Sequence, residues 1–99
     1  MDNNGMQIDG PCCEVVDLGD LAAKWRAFGW EVLEVDGHDV LQVCDALDAA
    51  DGRDAPVMII AHTVKGKGVS FMENNVDFHG KAPTPEETER ALRELEESG

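Results

Sequence analysis

Two stretches of this sequence group side chains suited to holding a charged ligand. DNNGMQIDG (2–10) gathers amide and carboxylate oxygens and, around its glycine, main-chain carbonyls. Such hard donors suit Mg²⁺ or Ca²⁺ better than a transition metal. One ion needs more ligands than this stretch supplies, so a plain tight turn is the competing reading. HTVKGKGVS (62–70) sets Lys65 and Lys67 among glycines directly after an apolar run, where open α/β sheets tend to bind ligands. The G-x-x-x-x-G-K-[ST] spacing of a P-loop is absent, so a flexible basic turn competes with an anion site. DFHGKAP (77–83) offers His79, whose titration range suits proton transfer or phosphate contact; the alternative is an ordinary surface histidine. His62 closes the apolar run and is expected to be packed or hydrogen-bonded there. DGHD (36–39) brings Asp36, His38 and Asp39 together, as a metal site or, more simply, as a turn followed by a helix cap.

These residues need elements to position them. Leu18, Leu21, Ala22, Trp25 and Phe28 recur at helical spacing, predicting a helix over 18–28 capped by Asp17 and ended by Gly29. WEVLEV (30–35) reads as a strand. Val40, Val43, Cys44 and Leu47 give a second helical stripe between Asp39 as N-cap and Gly52 as terminator. PVMIIA (56–61) is continuously apolar, as in a parallel strand covered on both faces. TPEETERALREL predicts a last helix, with Thr84 and Glu87 as a capping box, Pro85 at the first helical position, and Glu86/Arg90 and Glu89/Arg93 as i, i+4 pairs. The alternation predicts an α/β fold, a partial open parallel sheet with flanking helices. A strand is expected before the first helix, where only Met1 and Asp2 are left for its end. Residues 63–83 form a long connection with little periodicity, either functional or disordered.

The 99 residues suffice for one domain with a modest core. A net charge of −13 argues against nucleic acid and anionic membranes as partners, because their phosphates would be repelled. No apolar run approaches the roughly 18 residues of a membrane span, and no signal-peptide pattern opens the sequence. The three cysteines, two of them adjacent (Cys12, Cys13), follow no zinc spacing. The expected setting is reducing and cytoplasmic.

Together, DNNGMQIDGP, KWRAFGWEVLEVDGHD, IIAHTVKGKGVSFME and FHGKAPTPEE occur in the order and spacing of transketolases. Over residues 1–97 the sequence resembles the final part of the thiamine-diphosphate-binding N-terminal domain, most like the split, N-terminal-subunit type; the whole of 1–99 is assigned to that portion. In that family a motif opening with Gly-Asp-Gly and closing on an asparagine anchors the cofactor diphosphate through a divalent metal. The opening half is absent from these residues. The resemblance implies thiamine diphosphate with Mg²⁺ (or Ca²⁺) as cofactors, Asn4 as a metal ligand through its side-chain oxygen, and Met6 as a second through its backbone carbonyl. Ile8 aligns with an apolar residue packed near the cofactor, and Lys65 with a loop position near it. His79 matches a catalytic, cofactor-binding histidine facing diphosphate and substrate. No role is carried to His38 or Asp39.

The implied activity is transfer of a two-carbon ketol unit between sugar phosphates, the cofactor serving as electron sink. Active sites of the family lie between subunits. The expected partner is therefore a pyrimidine-binding, C-terminal transketolase subunit within an oligomer, and the isolated chain is expected to be inactive. Two rivals stand beside this. One is a related enzyme such as 1-deoxyxylulose-5-phosphate synthase or dihydroxyacetone synthase, although GVSFMEN and KWRAFGW favour transketolase. The other is a non-catalytic module that docks on a complete transketolase-type subunit through an exposed sheet edge or helix face.

Overall fold

The computed structural model describes residues 1–98. In chain order the elements are β1 (Asp2–Asn3), β2 (Met6–Gln7), β3 (Gly10–Pro11), α1 (Cys12–Val15), α2 (Leu21–Ala27), β4 (Glu31–Asp36), α3 (Val40–Ala50), β5 (Val57–His62), a 3₁₀ turn (Val76–Phe78) and α4 (Pro85–Ser98). They fall into two compact units: residues 1–4 with 16–63, and residues 5–15 with 64 onward.

The first unit is a parallel three-stranded sheet in the order β1-β5-β4. The β4–α3–β5 crossover is the α/β connection that the alternation of patterns predicts. Glu31 to Asp36 pair in register with Val57 to His62, each strand lying one residue later than predicted. The strand expected before the first helix exists in short form: Asp2 pairs with Ala61 and Asn3 with His62. That makes β5 the central strand, consistent with its apolar run. The burial is less complete than the run suggests, because Ile60 alone on β5 is fully buried, at 1% exposure. Ala22 and Ala46, on α2 and α3, are the other buried apolar residues described in this unit.

Helix α2 begins three residues later than the apolar stripe predicts. Gly19 adopts φ +58 and the Asp17 carboxylate accepts its N–H at 2.8 Å, a local turn that competes with the helix. Asp20 is the N-cap in place of Asp17, accepting the Ala23 N–H at 2.8 Å. At the far end Gly29 takes φ +85, as expected of a helix terminator, and Phe28 stands 81% exposed outside the buried stripe. Asp39 caps α3 as predicted, accepting from the Leu41 and Gln42 N–H groups at 3.0 and 3.2 Å.

The second unit contains the β2–β3 hairpin, with Met6 opposite Pro11 and Gln7 opposite Gly10, followed by α1. It also contains the long connection, which is ordered rather than slack. Val69 is buried, Phe71 and Phe78 pack at 5.7 Å between ring centroids, and Asn75 caps the 3₁₀ turn by accepting from Asp77 at 3.0 Å. On α4 the capping box is present in both directions: Thr84 N–H to Glu87 Oε2 at 2.8 Å and Glu87 N–H to Thr84 Oγ1 at 3.2 Å. Glu89 and Arg93 pair at 3.9 Å, but Arg90 turns away from Glu86 to Glu94, at 2.8 Å. Glu94 is already anchored by Ser70, and Arg90 also covers the Phe71 ring at 4.9 Å, so the C-terminal direction offers two further contacts. Among the described residues no helix is long and apolar enough to cross a membrane.

Candidate functional site

Open parallel sheets bind ligands beyond the carboxyl ends of their strands. In the first unit those ends are Asn3, His62 and Asp36. The His62 ring bridges the strands, with Nδ1 3.3 Å from Asn3 Nδ2 and Nε2 3.0 Å from Glu34 Oε2. An amide nitrogen only donates and a carboxylate only accepts, so the neutral tautomer with hydrogen on Nε2 satisfies both partners. His62 is therefore hydrogen-bonded, as its position at the strand end suggests. Thr63 Oγ1 donates to the Asp2 carboxylate. The Asn3–His62–Glu34 chain was not legible in the sequence, since nothing there signals that β1 and β4 flank β5.

Asn4 follows β1 directly, half-buried, its amide nitrogen 3.5 Å from Asp2 Oδ2. Gly5 follows at φ +71, and a Cβ built on it would meet nothing within 4 Å. The glycine is thus required by the turn rather than by crowding. The turn is tied down in the second unit, where Gly5 O accepts the Cys12 N–H at 2.8 Å. Met6 opens β2 opposite Pro11. Ile8 lies in the hairpin turn and is 69% exposed.

Lys65 begins a turn in which Lys67 N–H donates to Val64 O at 3.2 Å and Val69 N–H to Gly66 O at 3.2 Å. Its own carbonyl accepts the Asn74 N–H at 2.9 Å, and Asn74 adopts φ +52, a conformation asparagine tolerates. Lys65 is half-buried and Lys67 exposed. His79 ends the 3₁₀ turn, its N–H donating to Val76 O at 2.9 Å, with an exposed side chain. Lys81, two residues on, lies over the Phe78 ring at 4.9 Å and 4.0 Å from Glu87.

The DGHD segment is a turn and a cap: His38 N–H donates to Asp36 Oδ1 at 2.9 Å. The Gln42 backbone and side-chain hydrogen bonds hold the Asp39 carboxyl below its ordinary range. Among the described residues no group of three or more His, Cys, Asp or Glu is placed to share a metal ion. A divalent metal held by this chain would draw instead on neutral oxygens, the Asn4 amide and the Met6 carbonyl. Their chemistry fits a hard cation, and their number falls short of the roughly six donors it takes.

Residues 1–96 match the family described as transketolase, thiamine diphosphate binding domain. The chain belongs to that family. Among relatives of the transketolase domain, one of the subunits of the apulose-4-phosphate transketolase of Phocaeicola vulgatus is 40% identical over 100 residues, covering 98% of this chain and 35% of that protein. The 6-deoxy-6-sulfo-D-fructose transketolase subunit SqwG of a Clostridium species is 42% identical over 99 residues, covering 99% of this chain and 36% of that one. The crystal structure of transketolase from Campylobacter jejuni superimposes with a TM-score of 0.84 at 29% identity, over 96% of this chain and 15% of that one. The chain spans about a third of the length of these two relatives. The transketolase fold expected from the sequence is thereby established.

Proposed function

We propose that this chain is part of the N-terminal subunit of a split transketolase, acting with a pyrimidine-binding partner subunit to transfer a two-carbon ketol unit between sugar phosphates. The observation that carries the reading is the family match over residues 1–96, with relatives that are themselves transketolase subunits. Thiamine diphosphate would supply the electron sink for cleaving and forming the carbon–carbon bond. In this reading Asn4 Oδ1 and the Met6 carbonyl hold Mg²⁺ (Ca²⁺ serving as a substitute), with Gly5 setting the turn between them. Lys65 offsets diphosphate charge, Ile8 offers an apolar contact beside the cofactor, and His79 faces diphosphate and substrate as a hydrogen-bonding or proton-carrying group. Diphosphate oxygens and waters would complete the shell of such an ion. In this reading the partner subunit is needed for turnover, so the chain alone is inactive, and the working form is an oligomer in the cytoplasm.

Calorimetric titration of thiamine diphosphate with Mg²⁺ into the chain, beside Asn4→Ala, tests this. Binding that the variant weakens about tenfold or more supports the metal role. Binding that Asn4→Ala leaves unchanged rejects it. Ketol transfer by the chain without any partner would overturn the proposed dependence on a second subunit.

A second reading, a non-catalytic module docking on a complete transketolase-type subunit, draws on the apolar surface of the first unit. Val40, Leu41 and Leu47 of α3 are 74, 75 and 58% exposed, and a groove of about 500 Å³ runs past Val43, Leu47, Val57 and Ile59. Sedimentation of the chain as a monomer that does not bind a complete subunit would dismiss it.

A further inference from the structure

Cys12 and Cys13 are adjacent, open the four-residue helix α1, and are both free, Cys12 half-buried and Cys13 exposed. The Cys12 N–H also donates to Gly5 O at 2.8 Å, joining the start of α1 to the glycine turn ahead of the β2–β3 hairpin. We propose that this pair is a modification site for small hydroperoxides, closing to an intrachain disulfide that opens α1 and releases the Gly5 carbonyl.

The chemistry balances with hydrogen peroxide as the oxidant. The exposed Cys13 sulfur attacks the peroxide, the O–O bond breaks, and a sulfenic acid and one water form. Cys12 sulfur then attacks the Cys13 sulfur, the S–S bond forms as the S–O bond breaks, and hydroxide leaves as a second water with the thiol proton. Two thiols are oxidised and one peroxide is reduced.

Why the helix must open follows from geometry. Closing the ring brings the two sulfurs to about 2.0 Å of each other. Consecutive helical side chains diverge around the axis, by about 100°. A ring joining the two sulfurs therefore needs non-helical dihedrals at one or both residues. A single helical turn offers little resistance, since it holds few hydrogen bonds of its own. The Cys12 N–H lies on the peptide that leads into the ring, so a changed dihedral at Cys12 turns it away from Gly5 O. Cys44 lies on α3 in the other unit and has no cysteine neighbour in the chain.

The test uses the whole chain with Cys44→Ser, treated with one equivalent of hydrogen peroxide, and Cys13→Ser in the same background as control. Expected are a monomer lighter by the mass of two hydrogens, reversal by a dithiol reductant, no such loss in the control, and Cys12 amide exchange faster by about tenfold than in the reduced chain. A gain of oxygen without loss of hydrogen, or a covalent dimer, overturns the intrachain disulfide. Disulfide formation with unchanged exchange at Cys12, or an amide already unprotected in the reduced chain, overturns the link to Gly5. Neither readout requires cofactor binding, so failure here is separate from failure of the metal role given to Met6.

Discussion

Glu94 of α4 accepts both the backbone N–H and the hydroxyl of Ser70, the latter at 2.9 Å. Arg90, one turn earlier, completes the triangle through 2.8 Å bonds to Glu94 Oε1 and to Ser70 Oγ. This fastens the long connection to the last helix at a residue that follows the glycine-rich Lys65 turn.

The Ser70 backbone hydrogen bond, followed by the Arg90 contact, holds the Glu94 carboxyl below its ordinary range. A carboxylate whose folded pKa is depressed adds stability above its unfolded pKa, and that stability is lost as pH falls through the folded value. Glu94→Gln is expected to lower the midpoint of thermal unfolding at neutral pH by a few degrees at most, the size of a surface effect. The gap between variant and wild type should close on acidification below the ordinary glutamate range. Unfolding curves from neutral to acidic pH check this; a gap independent of pH would assign the effect to packing rather than charge.

Gly66 is the residue of the Lys65 turn least able to change. A Cβ there would lie 2.5 Å from Met72 O and 2.7 Å from Met72 C, at a φ of +73. Gly66→Ala should therefore cost more than the roughly 1–2 kcal/mol of a left-handed alanine, because backbone has to move as well. Gly52→Ala, at φ +71 with nothing within 4 Å, carries the conformational cost alone. Denaturant titrations should rank Gly66→Ala as clearly the more destabilised; equal losses would show that the Met72 contact yields freely.

The capping box offers a separate check on α4. Thr84→Ala removes the acceptor of the Glu87 N–H while leaving the backbone N–H of residue 84 bonded to Glu87. The expected loss is about 0.5–2 kcal/mol of stability, read as a lower denaturation midpoint with unchanged slope. A variant as stable as wild type would mean that the cap is unformed in solution.

Much of this architecture was readable because local signals carried it. Asp39, Gly29 and the Thr84/Glu87 box act within a few residues of themselves, and sequence placed each correctly. The start of α2 differs from the expected one because Asp17 and Asp20 are equally good caps by type. Gly19 decides between them through a conformation that periodicity does not encode. The two-residue β1 was nearly invisible, since its existence depends on pairing with Ala61 and His62 far along the chain. Likewise Arg90 had two glutamates at helical spacing, and only the tertiary anchor at Ser70 selects Glu94. At the candidate site, motif order identified the family, whereas the roles proposed for Asn4, Met6, Ile8, Lys65 and His79 rest on resemblance, because no local pattern signals a cofactor contact.

Lys65 and His79 should separate under mutation, because the structure holds them differently. Lys65 is half-buried in a turn closed by its own carbonyl's bond from Asn74, so its ammonium is delivered from a fixed backbone position. His79 is exposed at the end of a short 3₁₀ turn. A charged hydrogen bond to a phosphate oxygen is worth about 1.5–3 kcal/mol. Lys65→Met should accordingly weaken binding of thiamine diphosphate with Mg²⁺ by roughly one to two orders of magnitude, with far-UV circular dichroism unchanged. His79→Ala should weaken it by less than about tenfold, since the exposed ring makes any phosphate contact in competition with water. Its larger effect belongs to turnover in an assembly reconstituted with the pyrimidine-binding subunit, where a fall in kcat greater than the rise in KM marks a role in the reaction. Equal weakening by the two variants would place His79 in binding alone, and an unaffected Lys65→Met would remove Lys65 from the cofactor site.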